Sequence, residues 1–223
     1  MTQYSRQNPS PRYLELLGYY REMHEHGAKK ENIEANHTFN GESLGNHVDD
    51  IQRTASVLGS NTILDYGSGK GALYNATKIT TPNGQTFDGL GHYWGVDSII
   101  CYDPGHAPFS QLPAASFDGV ICTDVLEHCP KEDIPWILEE IFGFATEFVY
   151  LCVACFPAKK TLPNGENAHC TIEPPQWWLA QFNEQVKKRP GLRYFAVLET
   201  PDPDATDDAT IVQFKYQGKW NSV

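Results

Sequence analysis

The chain has 223 residues, 40% of them hydrophobic, and a formal charge of −11. That length supports one substantial core in a single domain with a small appendage. The acidic balance disfavours a broad nucleic-acid footprint, which relies on clustered Lys and Arg.

No run approaches the roughly 20 apolar residues of a membrane span, and the start MTQYSRQNPSPRY lacks the apolar core of a secretory signal. No membrane partner and a cytoplasmic location are therefore expected. Cys101, Cys122, Cys152 and Cys155 fall in apolar runs, and Cys129 and Cys170 stand beside histidines. All six are expected to be reduced thiols, because a chain of this size needs no staples.

In chain order, residues 11–26 place Leu14, Leu17, Tyr20 and Met23 at steps of three behind Pro11, the pattern of an amphipathic helix with Gly27 as its stop. Residues 48–58 repeat the pattern with Val48, Ile51, Ala55 and Leu58. A strand follows at Thr62–Tyr66, then a glycine-rich turn, then a helix from about Ala72. Residues 80–95, rich in Gly, Pro and Asn, read as an inserted loop. The runs SIICYD, DGVICTDVL and FVYLCVAC read as strands, with a helix in EDIPWILEEIFGFA between the last two. Alternating strands and helices imply a doubly wound, mainly parallel α/β sheet. PPQWWLAQFNEQV reads as a helix. LRYFAVLET and TIVQFKY then form two strands across the acidic turn DPDATDDA, antiparallel at one edge. Residues 1–43 are read as an N-terminal helical appendage and 44–223 as the main domain.

The turn Asp65-Tyr66-Gly67-Ser68-Gly69-Lys70-Gly71 puts three glycines where a strand passes into a helix, so that backbone can come close to a ligand. It loosely fits a dinucleotide fingerprint, but the Asp65 carboxylate before the first glycine would repel a pyrophosphate. A phosphate-binding P-loop is excluded because Gly71 follows Lys70 where Ser or Thr is needed, and Leu64 stands where the first glycine belongs.

Together, Asp65-x-Gly67-x-Gly69-x-Gly71 and residues 117–128, FDGVICTDVLEH, resemble the first and fourth motifs of the class I S-adenosylmethionine-dependent methyltransferases. The resemblance, to members of the bacterial small-molecule type, covers roughly residues 44–216 and implies a Rossmann-like fold with S-adenosyl-L-methionine as cofactor. It assigns cofactor contacts to Asp65, Gly67, Ser68, Gly69, Gly71 and Asp124. It gives Asp103, in CYDPG, the ribose hydroxyls, for which a carboxylate is a suitable acceptor; the alternative is a turn residue before Pro104. Asp103 stands about 32 positions past Gly71 rather than roughly 20, and only PGHAPFSQLPAAS then precedes Phe117. The helix and third strand usual there are missing or reduced, and the adenine is assigned to the Phe109–Pro113 segment, at Leu112.

Methyl transfer from a sulfonium needs alignment and, for some acceptors, a base. Ligands of open parallel sheets lie beyond the carboxyl ends of the strands, which makes Asp124, His128 and His169 the catalytic candidates. For both histidines a hydrogen-bonded structural role is an equal reading, and Glu127 is read as orienting nearby backbone. The irregular stretch 156–178 is the candidate acceptor loop. Its His169-x-Thr171-x-x-Pro174-x-x-Trp177-Trp178 pattern is similar to a stretch of bacterial methyltransferases associated with surface-sugar assembly, although paired tryptophans are more often core. Lys159 and Lys160, or Lys187 to Arg189, could supply a local basic groove.

No metal ligand is assigned. Cys152-x-x-Cys155 with His169 and Cys170 invites zinc, but the odd separation sends the two thiols to opposite faces of a strand. Tyr13, Tyr19, Tyr20 and the Phe39–Ser43 loop are read as a lid over the cofactor or as packing on the sheet edge. The expected activity is methyl transfer to a small-molecule or carrier-borne acceptor. A non-catalytic cofactor-binding scaffold and an enzyme that cleaves S-adenosylmethionine remain alternatives, because fold does not fix chemistry.

Overall fold

The computed structural model describes residues 4–81, 84–205 and 210–219. Its first helix, α1 (Pro11–His26), starts as the sequence predicts: Ser10 Oγ accepts the Tyr13 amide hydrogen at 3.0 Å, Pro11 takes the first position, and Gly27 ends the helix at φ 80°. That start is tied to a residue 123 positions further along the chain. The wholly buried Asp133 accepts hydrogen bonds from the Ser10 amide (3.0 Å), from the Ser10 hydroxyl and from Trp136 Nε1 (2.7 Å). Arg6 pairs with Glu140 and donates to the hydroxyls of Tyr66 and Tyr102.

Helix α2 (Val48–Leu58) buries Ile51 and Ala55, four residues apart, and stops at the left-handed Gly59. Strand β1 (Thr62–Tyr66) leads into the glycine turn. The helix expected from Ala72 is only a 3-10 turn, Ala72–Asn75. Asn75, Thr77, Ile79, Thr80 and Thr81 are weak helix formers and do not extend it.

The expected inserted loop, 80–95, is also corrected. It contributes to a hairpin, β2 (Ile79–Thr80) with β3 (Thr86–Phe87), and to helix α3 (Gly89–Trp94). Leu90 and Trp94, one helical turn apart, are buried, and Trp94 Nε1 donates to the Val48 carbonyl at 3.0 Å. Two apolar anchors turn a stretch of loop-like composition into part of the core.

The remaining elements are β4 (Ser98–Tyr102), β5 (Phe117–Thr123), α4 (Ile134–Phe144), β6 (Ala145–Ala154), α5 (Pro175–Lys187), β7 (Arg193–Pro201) and β8 (Ile211–Lys219). Between β4 and β5 the described chain makes just one 3-10 turn, Ala107–Phe109, so β4 forms a sheet edge. The acidic turn expected at 202–209 lies partly outside the described residues.

The six-stranded sheet runs β4-β1-β5-β6-β7-β8, parallel except for the antiparallel pair β7–β8. One face carries α4 and α5, with Ile137, Ile141, Trp178 and Phe182 buried. The other carries α2 and α3, with Ile51, Leu90 and Trp94. Helices on both faces of a mostly parallel sheet are compatible with a Rossmann-like, doubly wound fold. The winding reverses between β1 and β5, and in such sheets ligands bind beyond the carboxyl ends at that point. There a third cluster packs Leu16 and Met23 of α1 against Leu162 and Ala168 of the 155–174 connection. No helix among the described residues is long and apolar enough to cross a membrane.

Candidate functional site

A cavity of about 550 Å³ opens at the carboxyl ends of β1, β4, β5, β6 and β7, within the range of small-molecule sites. Asp65, Gly67, Ser68 and Gly69 form one side, with Asp103, Asp124, His128 and His169 around it. Gly71 and Leu112 are not among the lining residues. Gly71 backs onto Tyr74, Cys101 and Phe109. Leu112 packs against the α4–α5 core instead of facing the cavity, because the Asp103 amide holds the Phe109 carbonyl at 2.9 Å and folds the segment back. The adenine contact expected of Leu112 therefore has no support in its position.

The glycine turn departs from the expected donor cradle. Gly67 and Ser68 donate to the Tyr102 carbonyl (2.7 and 3.1 Å), Lys70 to Phe39 O (2.8 Å), Gly71 to Ser68 O (3.0 Å) and Ala72 to Asn40 O (2.8 Å). The Gly69 amide donates to Asp103 Oδ2 at 2.9 Å. Every amide from 67 to 72 is thus already satisfied within the protein. Lys70 Nζ turns away to Thr38 O (2.7 Å) and His24 Nδ1 (3.2 Å). A turn whose donors are spent offers little to a phosphate.

Its glycines are required by protein contacts. A Cβ on Gly69, at φ 57°, would lie 2.2 Å from the Phe39 carbonyl oxygen, and one on Gly67, at φ 84°, 2.3 Å from Val125 Cγ2. The Phe39–Asn40 strap is invisible to motif reading because backbone carbonyls from 30 residues upstream form it. Phe39 itself has φ 49°, an unusual conformation for a bulky residue.

Instead of donors, the turn presents carboxylates. Asp65 is buried, with Oδ2 accepting from Tyr74 at 2.7 Å, and burial pushes its carboxyl up to about 7. Asp103 accepts from Gly69 and from the Gly105 amide (2.7 Å), and burial raises its carboxyl too. Asp124, the residue directly after β5, has φ 58°, the kind of sparsely populated conformation that collects at functional sites.

Across the cavity, His169 Nδ1 bonds the Phe156 carbonyl (2.6 Å) and His128 Nδ1 the Ala168 carbonyl (2.9 Å), which leaves Nε2 of each ring available as an acceptor. The rings meet edge to face at 4.8 Å, and Tyr20 Oη lies 3.1 Å from His128 Nδ1. Burial lowers both imidazoles, His128 to about 4 with help from His169, so both are neutral at pH 7.

Glu127 does orient backbone. Oε1 accepts the Ala154 amide at 2.9 Å, and its carbonyl accepts those of Cys170 and Thr171 (2.8 and 3.0 Å). The 155–174 connection brings Phe156, Lys159, Lys160 and His169 to the cavity, whereas Trp178 is wholly buried. Tyr13, Tyr20 and residues 39–43 line the cavity as well; Tyr19 does not, and bonds Glu15 at its surface. Lys187 and Lys188 pair with Glu184 and Glu139, so the basic groove considered there is not formed by free cations.

No protein-family model matches this sequence. A search of curated proteins likewise gives no match.

Proposed function

We propose that this chain binds S-adenosyl-L-methionine at the β1–β5 switch point and transfers its methyl group to a small-molecule or carrier-borne acceptor. The observation that carries the proposal is the spent set of amides at the glycine turn beside Asp65, Asp103 and Asp124. A pyrophosphate would meet three carboxylates and no free amide from 67 to 72, whereas a ligand with a cationic amine and sulfonium meets complementary charge.

The residues fit that group. Asp65 has its second carboxylate oxygen free for an ammonium, since only Oδ2 is held by Tyr74. Asp103 retains acceptor capacity for ribose hydroxyls beyond its two backbone bonds, a carboxylate having about four lone-pair sites. The cofactor would supply an activated methyl carbon. Asp124 and Val125, at the end of β5, then border the reacting region, and His169 Nε2, neutral and accepting, is placed to take the acceptor's proton while His128 supports it edge-on. The acceptor would enter past Lys159, Lys160 and Phe156. Helix α1 and the 39–43 strap form a lid in this reading, which keeps water from the reacting centre.

The test is thermal and isotopic. S-adenosylmethionine and its demethylated product should raise the melting temperature, because a ligand of the native state alone adds RT ln(1 + [L]/Kd), while NAD and ATP should not. Label from methyl-labelled S-adenosylmethionine should then appear in a component of a metabolite extract. Stabilisation by NAD alone would overturn the proposal, and binding without label transfer would reduce it to a cofactor-binding scaffold.

A further inference from the structure

Beside the cavity, on the α2–α3 face of the sheet, three side chains of different chemistry converge. In β6 the alternation of side chains puts Tyr150, Cys152 and Ala154 on one face. Glu199 of β7 stands beside Ala154 in the parallel register, and so joins that face. His47, at the end of the 3-10 segment Glu42–His47, is laid over it. Donor atoms of His47, Cys152 and Glu199 all lie within 4.8 Å of one another. Cys155, by contrast, packs against the opposite α4–α5 core, so the trio is not the cysteine pair that the spacing suggested.

We propose that His47, Cys152 and Glu199 bind a divalent transition metal, zinc by the chemistry of the set. Imidazole, thiolate and carboxylate are its usual ligands, and donors 2.0–2.3 Å from a tetrahedral zinc lie about 3.5 Å apart. The trio therefore has to close by only about an ångström.

One feature sets it apart from a chance meeting of polar groups. Each of two ligands is held from behind, as metal ligands are. His47 Nδ1 is 3.1 Å from Tyr150 Oη, and Glu199 Oε1 accepts from Gln213 Nε2 at 2.8 Å. His47 keeps its other ring nitrogen for a metal and Glu199 its other carboxylate oxygen. On binding, the thiol proton leaves to solvent and a sulfur–metal bond replaces it, so that thiolate and carboxylate together balance a doubly charged ion.

His47 and Cys152 are buried, whereas Glu199 borders the cavity. A fourth position, completed by water, would open on that side, the arrangement of sites in which the metal meets substrate. The site does not depend on the cofactor assignment, and its test makes no use of S-adenosylmethionine.

The chain is stripped with chelator and titrated with Co²⁺, which reports thiolate ligation by its sulfur-to-metal charge-transfer absorption. One Co²⁺ per chain is expected, with that band present, and Zn²⁺ should displace it. Cys152→Ser should abolish the band, and Glu199→Gln should weaken binding at least tenfold with circular dichroism unchanged. Wild-type binding weaker than about 0.1 mM would overturn the proposal. So would a thiolate band that survives in Cys152→Ser, or a Glu199→Gln protein that binds as the wild type does.

Discussion

Replacing Asp65 by Asn separates the stability of the glycine turn from its use. Burial raises the carboxyl from 3.8 to about 7, Tyr74 pulls in the opposite direction through its hydrogen bond, and Asp103 adds to the rise. Between these values the folded chain holds a proton that the unfolded chain has released, so wild-type stability falls as pH climbs from about 4 through 7. At roughly 1.36 kcal/mol per pH unit the gap comes to about 4 kcal/mol, fully expressed near pH 8. Asn preserves the shape and still accepts from Tyr74, but it does not ionise. In urea melts without ligand, Asp65→Asn should match wild type near pH 4 and exceed it by about 4 kcal/mol at pH 8, roughly 10 °C in melting temperature for a chain of this size. The same variant should lose most of its affinity for S-adenosylmethionine, since the buried charge is what a cation would repay. A stability difference that does not change between pH 4 and pH 8 would refute the reasoning.

Gly69→Ala should lower stability by about 2 kcal/mol or more, because its Cβ meets the Phe39 carbonyl at 2.2 Å in a backbone conformation that alanine disfavours; a melt at wild-type temperature would show that the strap yields freely. Asp103→Ala should weaken cofactor binding by roughly 1–3 kcal/mol in calorimetry and also destabilise the unliganded chain, since the amides of Gly69 and Gly105 lose their acceptor. His169→Ala should leave cofactor affinity nearly intact and reduce turnover of a labelled acceptor. With the imidazole below its usual range through burial, turnover at saturating cofactor should hold from neutral pH upward and decline in acid as His169 protonates, while Asp65, raised to about 7, weakens cofactor affinity as it protonates.

The strands were legible because each one is a short apolar run bounded by turn residues, and β1, β4, β5, β6 and β7 appear within a few residues of where the pattern puts them. Local composition also located the long irregular stretch at 156–178, of which 175–178 prove to be the start of α5, and placed Asp65, Asp103, Asp124, His128 and His169 at strand ends or beyond, where a parallel sheet gathers its ligands. The failures lie where long-range contacts outweigh composition. Residues 80–95 read as a loop until Leu90 and Trp94 find α2, and the helix after the turn shrinks to four residues for want of helix formers. The state of the glycine turn lay beyond sequence altogether. Its amides are taken by Phe39, Asn40, Tyr102 and Asp103, partners supplied mostly by backbone and brought in by tertiary packing. The His47–Cys152–Glu199 trio was hidden for the same reason: its members stand 47 to 199 in the chain and share no spacing, and only the register of β6 on β7 under the Glu42–His47 segment brings them together.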